Sequence, residues 1–289
     1  MRYYVLYNPK SDNGNGKNRA ERLNDRFAED EFLFFDMTEL KSYEEFFKGI
    51  PAEDCIVLCG GDGTLNRFIN DTKGVEIRNK ILYYAWGSGN DFLRDLPNKA
   101  DDLIDLAPYI RDLPTVTVKG KDYLFLNGVG YGIDGYCCEE GDRLRAEKPG
   151  KKINYTMIAI TGLLFKYKPT NATIIIDGVE KRYEKVWLAA TMNGRYYGGG
   201  MNAAPAQDRL SEKKTLSLMM FHDSGKLQTL SIFPSIFKGE HVKHDKNVTV
   251  LTGHTVTVKF DEPRALQIDG ETILGVTEYT AKSALAPKE

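Results

Sequence analysis

The chain has 289 residues, which is long for one hydrophobic core and comfortable for two domains. It is 42% hydrophobic and 28% charged, as in ordinary globular proteins, and its net charge of −2 argues against a nucleic-acid partner held by bulk charge. No run approaches the ~20 apolar residues of a membrane-spanning helix, so we expect no transmembrane segment.

The four cysteines bear on the cellular compartment. Cys55 and Cys59 flank a short apolar run, Cys137 and Cys138 are adjacent, and no C-x-x-C pair is present. This pattern suits neither a zinc ribbon nor a disulfide framework. A reducing, cytoplasmic location is therefore the simpler expectation.

Apolar runs alternate with helical patterns over the first hundred residues. We predict, in chain order, a strand at 3–7, a helix around 20–27, a strand at 32–35, a helix at 43–48, a strand at 56–58, a helix to about 72 and a strand at 81–85. This alternation predicts a doubly wound parallel sheet, in which ligands bind beyond the carboxyl ends of the strands.

Three polar, glycine-bearing turns follow three of these strands, at 8–16, 60–64 and 87–91. Glycine permits positive φ and close approach by phosphate, and the following helix start offers N–H groups to an anion. Asp62 lies in the second turn and is unfavourable beside an anion unless a divalent cation separates them. A turn that only reverses the chain explains any single loop equally well, but three on one sheet edge favour a nucleotide–metal site.

After Pro114 the pattern changes to alternating strands. Two Asp-Gly pairs, at 177–178 and 269–270, are strong hairpin signals, and helical insertions are expected at about 152–166 and 226–238. We predict an antiparallel β-sandwich domain over 117–275, after an α/β domain over 1–116, with strands at 115–119, 123–127, 172–176, 180–183, 186–192, 215–221, 248–251, 255–260, 265–268 and 271–274.

As a set, these motifs resemble the diacylglycerol kinase catalytic-domain family, which includes sphingosine kinases and bacterial soluble lipid kinases and is distantly related to NAD kinases. The resemblance runs in family order through Asn8-Pro9-Lys10-Ser11, Gly60-Gly61-Asp62-Gly63-Thr64-Leu65-Asn66, Gly87-Ser88-Gly89-Asn90-Asp91-Phe92, Asn193-Gly194, Gly198-Gly199-Gly200, Ala204-Pro205-Ala206 and Asp269-Gly270-Glu271.

The resemblance implies an ATP- and Mg²⁺-dependent kinase that phosphorylates a lipid hydroxyl, most simply diacylglycerol to phosphatidic acid, in a cleft between the domains. Glu271, with Asp269, would act as general base, and Asp62 and Asp91 would hold Mg²⁺ directly or through water. It also implies that residues 276–289 return to the first domain. ATP would contact Asn8, Pro9, Lys10, Ser11, Asp12, Thr38, Gly61, Asp62, Gly63, Thr64, Leu65, Asn66, Arg67 and Ser88.

The chain departs from the family pattern at several positions. Ser88 replaces the usual Thr, Arg67 stands where Glu is common, and Ala85-Trp86 replaces a proline. After Ala-Pro-Ala the family has Asp-Gly-x-Leu-Asp, a segment that carries the carbonyls of a structural Mg²⁺ site. Residues 207–214 lack this Asp-Gly, so we assign no structural metal there. For Asp91 an N-cap role is as good an interpretation as a metal role.

The lipid substrate implies peripheral contact with a membrane, at its inner face for a cytoplasmic protein. Lysines without acidic residues surround an apolar run between Lys148 and Lys168, which suits anionic lipid, but we favour a helix packed on the β domain with a solvated basic rim. The acceptor lipid and the oligomeric state stay open, a homodimer included. The alternatives are an NAD kinase and a nucleotide-binding module without catalysis.

Overall fold

The structure, a computed structural model, describes residues 1–27, 30–86, 89–97, 102–148 and 153–287, leaving aside the side chains of Asp12 and Asn13. The chain divides into two compact units, Met1–Arg111 and Asp112–Glu289. Within the described ranges no helix is both long and apolar enough to cross a membrane.

The first unit is a parallel sheet with one antiparallel edge strand. Its strands are β1 (Arg2–Tyr7), β2 (Glu31–Asp36), β3 (Cys55–Gly60), β4 (Lys80–Ala85) and β5 (Leu103–Asp105), in the order β2-β1-β3-β4-β5. Its helices are α1 (Ser11–Gly14), α2 (Gly16–Arg26), α3 (Tyr43–Lys48), α4 (Asp62–Asp71), α5 (Asp91–Arg94) and α6 (Ala107–Ile110). Only β5 runs antiparallel to its neighbour.

Helices cover both faces of this sheet. Tyr3 and Val5 of β1 pack in one cluster with Leu23 of α2, whereas Tyr4 meets Phe46 of α3 edge-on from the other face. β3 is buried at every residue, as its continuous apolar run requires between two helical layers. These features confirm the predicted doubly wound α/β domain.

The strand order reverses between β1 and β3. After β1 the chain crosses to β2 on one side, and after β2 it crosses back to β3 on the other. Tyr7 and Cys59 are register partners, so the loops that leave β1 and β3 start side by side. In open α/β sheets this switch point is where ligands bind.

The second unit is antiparallel. Its strands are β6 (Thr115–Val118), β7 (Lys121–Leu124), β8 (Gly128–Gly132), β9 (Thr170–Ile176), β10 (Val179–Val186), β11 (Leu188–Met192), β12 (Tyr196–Tyr197), β13 (Met201–Asn202), β14 (Leu216–Phe221), β15 (Val248–Gly253), β16 (Thr255–Ile268) and β17 (Glu271–Lys282). Its helices are α7 (Ile133–Glu147), α8 (Tyr155–Thr161) and α9 (Lys226–Ile232), with a π-helix at Gly162–Lys166 and 3₁₀ turns at Phe233–Lys238 and His241–Lys243.

The long strand β16 joins the parts of this sheet. Its first half pairs with β9 and its second half with β8, while β17 pairs with it along most of its length. β11 and β14 are buried on both faces. The Leu218 side chain lies in one hydrophobic core of this unit, and the Met219 side chain lies in a second core with Ile158 and Leu163. The segment around α8 therefore packs on the β domain, as favoured from the sequence.

Several elements differ from the prediction. β8 and α7 were not predicted, because their glycines lower both strand and helix propensity. In the fold these glycines allow close approach: a Cβ at Gly130 would collide with the Asp134 carboxylate, and one at Gly135 with the Ala265 carbonyl. The two strands predicted over 255–268 form one strand, with irregular register between them.

The prediction that residues 276–289 return to the first domain is wrong for residues 276–282. These residues lie in β17, where Tyr279 pairs with Val118 of β6 and with Val258 of β16. The alternation Val276, Tyr279 and Ala281 buries their side chains in the core of the second unit, which holds the strand there.

Candidate functional site

The loop after β1 is folded around Asn8. The Asn8 carbonyl accepts hydrogen bonds from the Ser11 N–H (3.0 Å) and hydroxyl (2.7 Å), and the Asn8 side-chain oxygen accepts from the Lys10 N–H (3.0 Å). Gly16 follows, and a Cβ there would collide with the Asn8 carbonyl. The loop is thus pre-formed at the switch point, with the Lys10 side chain exposed.

The turn after β3 leads directly into α4. Gly61 precedes the helix in an extended conformation, and Gly60 packs so closely on Thr64 that a Cβ would overlap its side chain. The N-terminus of α4 therefore points from the same sheet edge as the Asn8 loop. A helix start of this kind offers N–H groups to a phosphate.

Asp62 links this turn to the third predicted loop. Its Oδ2 accepts from the Asp91 N–H (2.8 Å) and its Oδ1 from the Phe92 N–H (3.0 Å), so Asp62 caps α5 from a distance. Asp91 is buried as the first residue of that helix. The structure therefore brings the Asp62 carboxylate to the backbone of Asp91 and gives Asp62 the cap role that the sequence offered for Asp91.

Trp86 holds these loops in place. Its N–H donates to the Gly60 carbonyl (2.9 Å) and its indole N–H to the Ser11 hydroxyl (3.4 Å), and the Tyr83 hydroxyl also donates to Gly60 (2.9 Å). The ends of β1, β3 and β4 are thereby tied together. Nothing in the sequence spacing indicated this role for Trp86, which lies where the family has a proline.

The other predicted nucleotide contacts have varied settings. The Thr38 N–H and hydroxyl donate to Asp36 Oδ1 (2.8 and 2.7 Å), and the Thr38 backbone follows directly after β2. Leu65 is fully buried, and Thr64 and Asn66 are nearly so, which leaves Gly61 and Gly63 as the more open residues of the turn. Arg67 is exposed and pairs with Asp71 at 3.2 Å. Ser88 lies outside the described residues, as does the Asp12 side chain.

The thiol and phenol beneath the turn are not nucleophiles. Burial raises the pKa of the Cys59 thiol, and burial together with the nearby Asp62 carboxylate raises the pKa of the Tyr83 hydroxyl. Both groups therefore stay protonated and act as neutral packing and hydrogen-bonding groups.

A divalent cation fits this site only in the company of a ligand. Among the described residues there is no group of three His, Cys, Asp or Glu side chains that could hold a metal. The Asp62 carboxylate lies at the start of α4 and accepts the Asp91 and Phe92 N–H groups. In that position it would contact a hydrated Mg²⁺ that takes most of its ligands from nucleotide phosphates.

In the second unit, Asp269 and Gly270 form the predicted tight turn between β16 and β17. Both have positive φ (47° and 96°), as a two-residue hairpin of this type requires. The Asp269 carboxylate accepts the N–H groups of Leu126 (2.6 Å), Asn127 (2.8 Å) and Gly128 (2.9 Å). Asp269 is therefore an anchor for the turn.

Glu271 is the first residue of β17 and its side chain is exposed. The hairpin that carries it is held on a second side, since the Gly270 N–H donates to Gln267 Oε1 (2.7 Å) and Gln267 Nε2 to Asp134 Oδ2 (2.9 Å). Burial raises the pKa of Asp134 to about 6. Of the two predicted carboxylates, Glu271 is thus the exposed one, whereas Asp269 is bound to three backbone N–H groups.

Sequence reasoning missed the residues that hold this hairpin. Asp134, Gln267 and Arg209 are all buried polar side chains, far from Glu271 in sequence or without a motif of their own. A lone arginine or glutamine without a motif is most simply interpreted as a surface residue. Only the fold reveals these contacts.

Two family descriptions match this chain almost end to end. Residues 2–118 match the diacylglycerol kinase catalytic domain, and residues 127–287 match the YegS C-terminal NAD kinase beta sandwich-like domain. The chain belongs to this family of diacylglycerol kinase-like lipid kinases. It is a kinase by family, and the order of its motifs agrees with the resemblance seen in the sequence.

Members of the diacylglycerol kinase family with established names are similar over most of the chain. A diacylglycerol kinase of Mycobacterium tuberculosis is 29% identical, over 71% of this chain and 67% of its own. A diacylglycerol kinase of Bacillus subtilis is 23% identical, over 75% of this chain and 71% of its own. A crystal structure of a diacylglycerol kinase from Bacillus anthracis shares the fold, with a TM-score of 0.64 and 20% identity over 98% of this chain and 94% of its own.

Proposed function

We propose that this protein transfers the γ-phosphate of Mg·ATP to the hydroxyl of a membrane lipid, with diacylglycerol as the first candidate and phosphatidic acid as its product. The observation that carries the proposal is the pair of pre-formed turns at the switch point. The Asn8 loop and the Gly61 turn leave adjacent strands, and the start of α4 offers its N–H groups beyond the sheet edge. Such a cradle suits a triphosphate.

The nucleotide contacts follow from this geometry. Backbone N–H groups at the start of α4, around Gly63, and the exposed Lys10 ammonium bind phosphate oxygens, and Ser11, Thr38 and Ser88 are assigned to the nucleotide from the family pattern. Mg²⁺, when bound with ATP, neutralises charge on the phosphates. Asp62 and Asp91 would hold it, directly or through water, while Asp62 keeps its cap on α5.

The second unit supplies the base. The lipid hydroxyl oxygen forms a bond to the γ-phosphorus as the bond to the ADP oxygen breaks, and the hydroxyl proton passes to the Glu271 carboxylate. Glu271 is exposed at the start of β17, so its carboxylate is open to a substrate. Asp269 holds the turn that presents it. General-base catalysis of this kind contributes ~10²–10⁴-fold to a rate.

A membrane-facing surface is proposed at the π-helix and α9. Phe165 and Leu227 are 77% and 78% exposed, and Lys226 Nζ donates to the Leu164 carbonyl (3.0 Å), which joins the two segments. Lys166 and Lys168 follow Phe165 in the chain. Apolar side chains with a basic rim suit an anionic lipid surface, which a cytoplasmic lipid kinase meets at the inner membrane face.

A substrate panel tests the function. The protein is incubated with labelled ATP and MgCl₂, and with diacylglycerol in vesicles, a sphingoid base or NAD as acceptor. We expect labelled phosphatidic acid, lost on removal of Mg²⁺ and reduced by ~10²-fold or more in Glu271→Gln. Transfer to NAD alone would refute the proposal in favour of an NAD kinase, and ATP binding without transfer would leave a nucleotide-binding module.

A further inference from the structure

Arg209 is a buried cation in the turns between β13 and β14. The residue is only 8% exposed, yet a guanidinium keeps its charge at every accessible pH. Its Nη1 donates to the Leu126 carbonyl (3.2 Å) and its Nη2 to Asn127 Oδ1 (3.0 Å). A buried charge is costly unless it is held by such hydrogen bonds, so these bonds define the position of the Arg209 side chain.

The backbone carbonyls of Leu126 and Asn127 have their hydrogen-bonding capacity filled. The Leu126 carbonyl also accepts from Asn193 Nδ2 (2.9 Å), and the Asn127 carbonyl accepts from the N–H groups of Asn193 (2.9 Å) and Gly194 (3.1 Å). A carbonyl oxygen has two lone pairs. Neither oxygen therefore has a lone pair left for a metal ion.

The residues of this segment do not fit the structural Mg²⁺ that the family pattern implies. Asp208, the neighbour of Arg209 in the chain, is exposed, and its Oδ1 accepts from the Leu210 N–H (2.9 Å) within its own turn. A guanidinium on the Leu126 carbonyl and the Asn127 side-chain oxygen repels a second cation there. The described residues offer no group of three His, Cys, Asp or Glu side chains for one either.

The same short segment is held from its other side by an anion. The N–H groups of Leu126, Asn127 and Gly128 point to the Asp269 carboxylate, while a carbonyl and a side-chain oxygen of Leu126 and Asn127 point to Arg209. The partial negative charge of a carbonyl oxygen attracts a cation, and the partial positive charge of an N–H group attracts an anion. The segment is therefore stabilised by Arg209 on one side and by Asp269 on the other. Asp269 begins the turn that leads to Glu271.

We propose that Arg209 is a positioning residue that takes the place of a structural metal ion. Its guanidinium fixes Leu126 and Asn127, their N–H groups fix Asp269, and Asp269 fixes the hairpin that presents Glu271. The catalytic part of this inference rests on the proposed function. The structural part, a metal-independent hold on the hairpin, does not.

The variants are Arg209→Met, which removes the charge at similar length, and Arg209→Lys, which keeps the charge without the fork. Arg264→Met is the matched control, because Arg264 is a side chain 20% exposed that bonds Glu262 (2.7 Å) and the Lys168 carbonyl (3.3 Å) instead. If Arg209→Met does not fold, the same measurements are made on Arg209→Lys.

Hydrogen exchange followed by mass spectrometry measures how firmly the backbone of the hairpin and of residues 126–128 is held. We expect faster exchange of the peptides containing 126–128 and 268–271 in Arg209→Met, an intermediate rate in Arg209→Lys, and wild-type rates in Arg264→Met. Unchanged protection of both peptides in the Arg209 variants would overturn the proposal.

Thermal melts of the nucleotide-free wild type, in EDTA and with MgCl₂, CaCl₂ or MnCl₂, test whether a bound metal ion stabilises the fold. We expect the same Tm in all four conditions. A higher Tm with any of the cations would overturn the proposal that Arg209 takes the place of a structural metal ion. In the lipid kinase assay we expect a fall in kcat of up to ~10²-fold for Arg209→Met with KM for ATP unchanged, as for a misplaced base. If the wild type transfers no phosphate, the proposed function fails, while the exchange and melting results still decide the role of Arg209.

Discussion

The replacement of Asp269 by asparagine tests the link between the turn and the base. Asp269 has φ of 47°, a conformation that asparagine adopts as readily as aspartate, so the hairpin itself is retained. What changes is the acceptor. Asp269 Oδ2 binds the Leu126 N–H, and Oδ1 binds the Asn127 and Gly128 N–H groups.

The amide keeps one oxygen and no charge. It can retain the two bonds of Oδ1 in weaker, neutral form and loses the bond of Oδ2 to Leu126. Since a bond to a charged group is worth ~1.5–3 kcal/mol, we expect a loss of about 2–3 kcal/mol in the free energy of unfolding.

The chain contains a matched control in its other Asp-Gly hairpin. Asp177 also has positive φ (48°), and its Oδ1 accepts the N–H groups of both His254 (2.9 Å) and Thr255 (2.7 Å). An asparagine oxygen can keep both bonds, so Asp177→Asn should lose about 1 kcal/mol or less. Asp177 has no part in the proposed chemistry.

Urea unfolding and steady-state kinase assays compare the two variants. We expect kcat to fall by ~10²-fold in Asp269→Asn, because the base is misplaced, with KM for ATP unchanged. Asp177→Asn should keep the wild-type kcat. If Asp269→Asn loses stability but keeps wild-type kcat, Asp269 is a turn residue only and the link to Glu271 is refuted.

Three further predictions follow from other contacts. Asp62→Asn should lose ~1 kcal/mol of stability, as for a helix cap, and raise the KM for Mg·ATP; an unchanged KM would remove Asp62 from the metal side. Burial raises the pKa of Asp134 from 3.8 to about 6. The protonated Asp134 side chain therefore contributes fully to the free energy of unfolding below pH 3.8, and this contribution is lost as the pH rises through 6, because the folded state must then bury a charge. Relative to wild type, Asp134→Asn should therefore gain ~3 kcal/mol between these limits in urea unfolding, and a pH-independent difference would contradict the assignment. Phe165→Ser with Leu227→Ser should weaken binding to anionic vesicles at least ~10-fold, since each buried side chain is worth ~1.5–3 kcal/mol, while the 73% exposed Val179 provides a control, Val179→Ser, with wild-type binding.

The sequence was informative wherever the chemistry is local. The apolar run before Gly60 predicts a buried strand, and the glycines after it predict a turn into a helix, because both depend on neighbouring residues alone. The same is true of the two Asp-Gly hairpins, in which each residue has the positive φ that the pair permits. Motif order across the chain then indicated the family.

The glycine-rich region after Asn127 shows where local propensity fails. It forms β8 and α7, although glycine favours neither element, because burial against Ala265 and Trp187 requires residues without side chains. Likewise β17 runs on to Lys282 since Tyr279 and Ala281 complete a core built from distant strands.

The two-domain plan was thus evident from the sequence, which also predicts the phosphate-type turns and a site with carboxylates at 62, 91, 269 and 271. The tertiary structure alone decided what those carboxylates touch. Asp62 reaches a helix start 29 and 30 residues away, Asp269 reaches backbone N–H groups more than 140 residues away, and Arg209 lies on carbonyl and amide oxygens 82 and 83 residues away. Side-chain hydrogen bonds of this length in sequence leave no periodic pattern, because they depend on which strands the fold brings together.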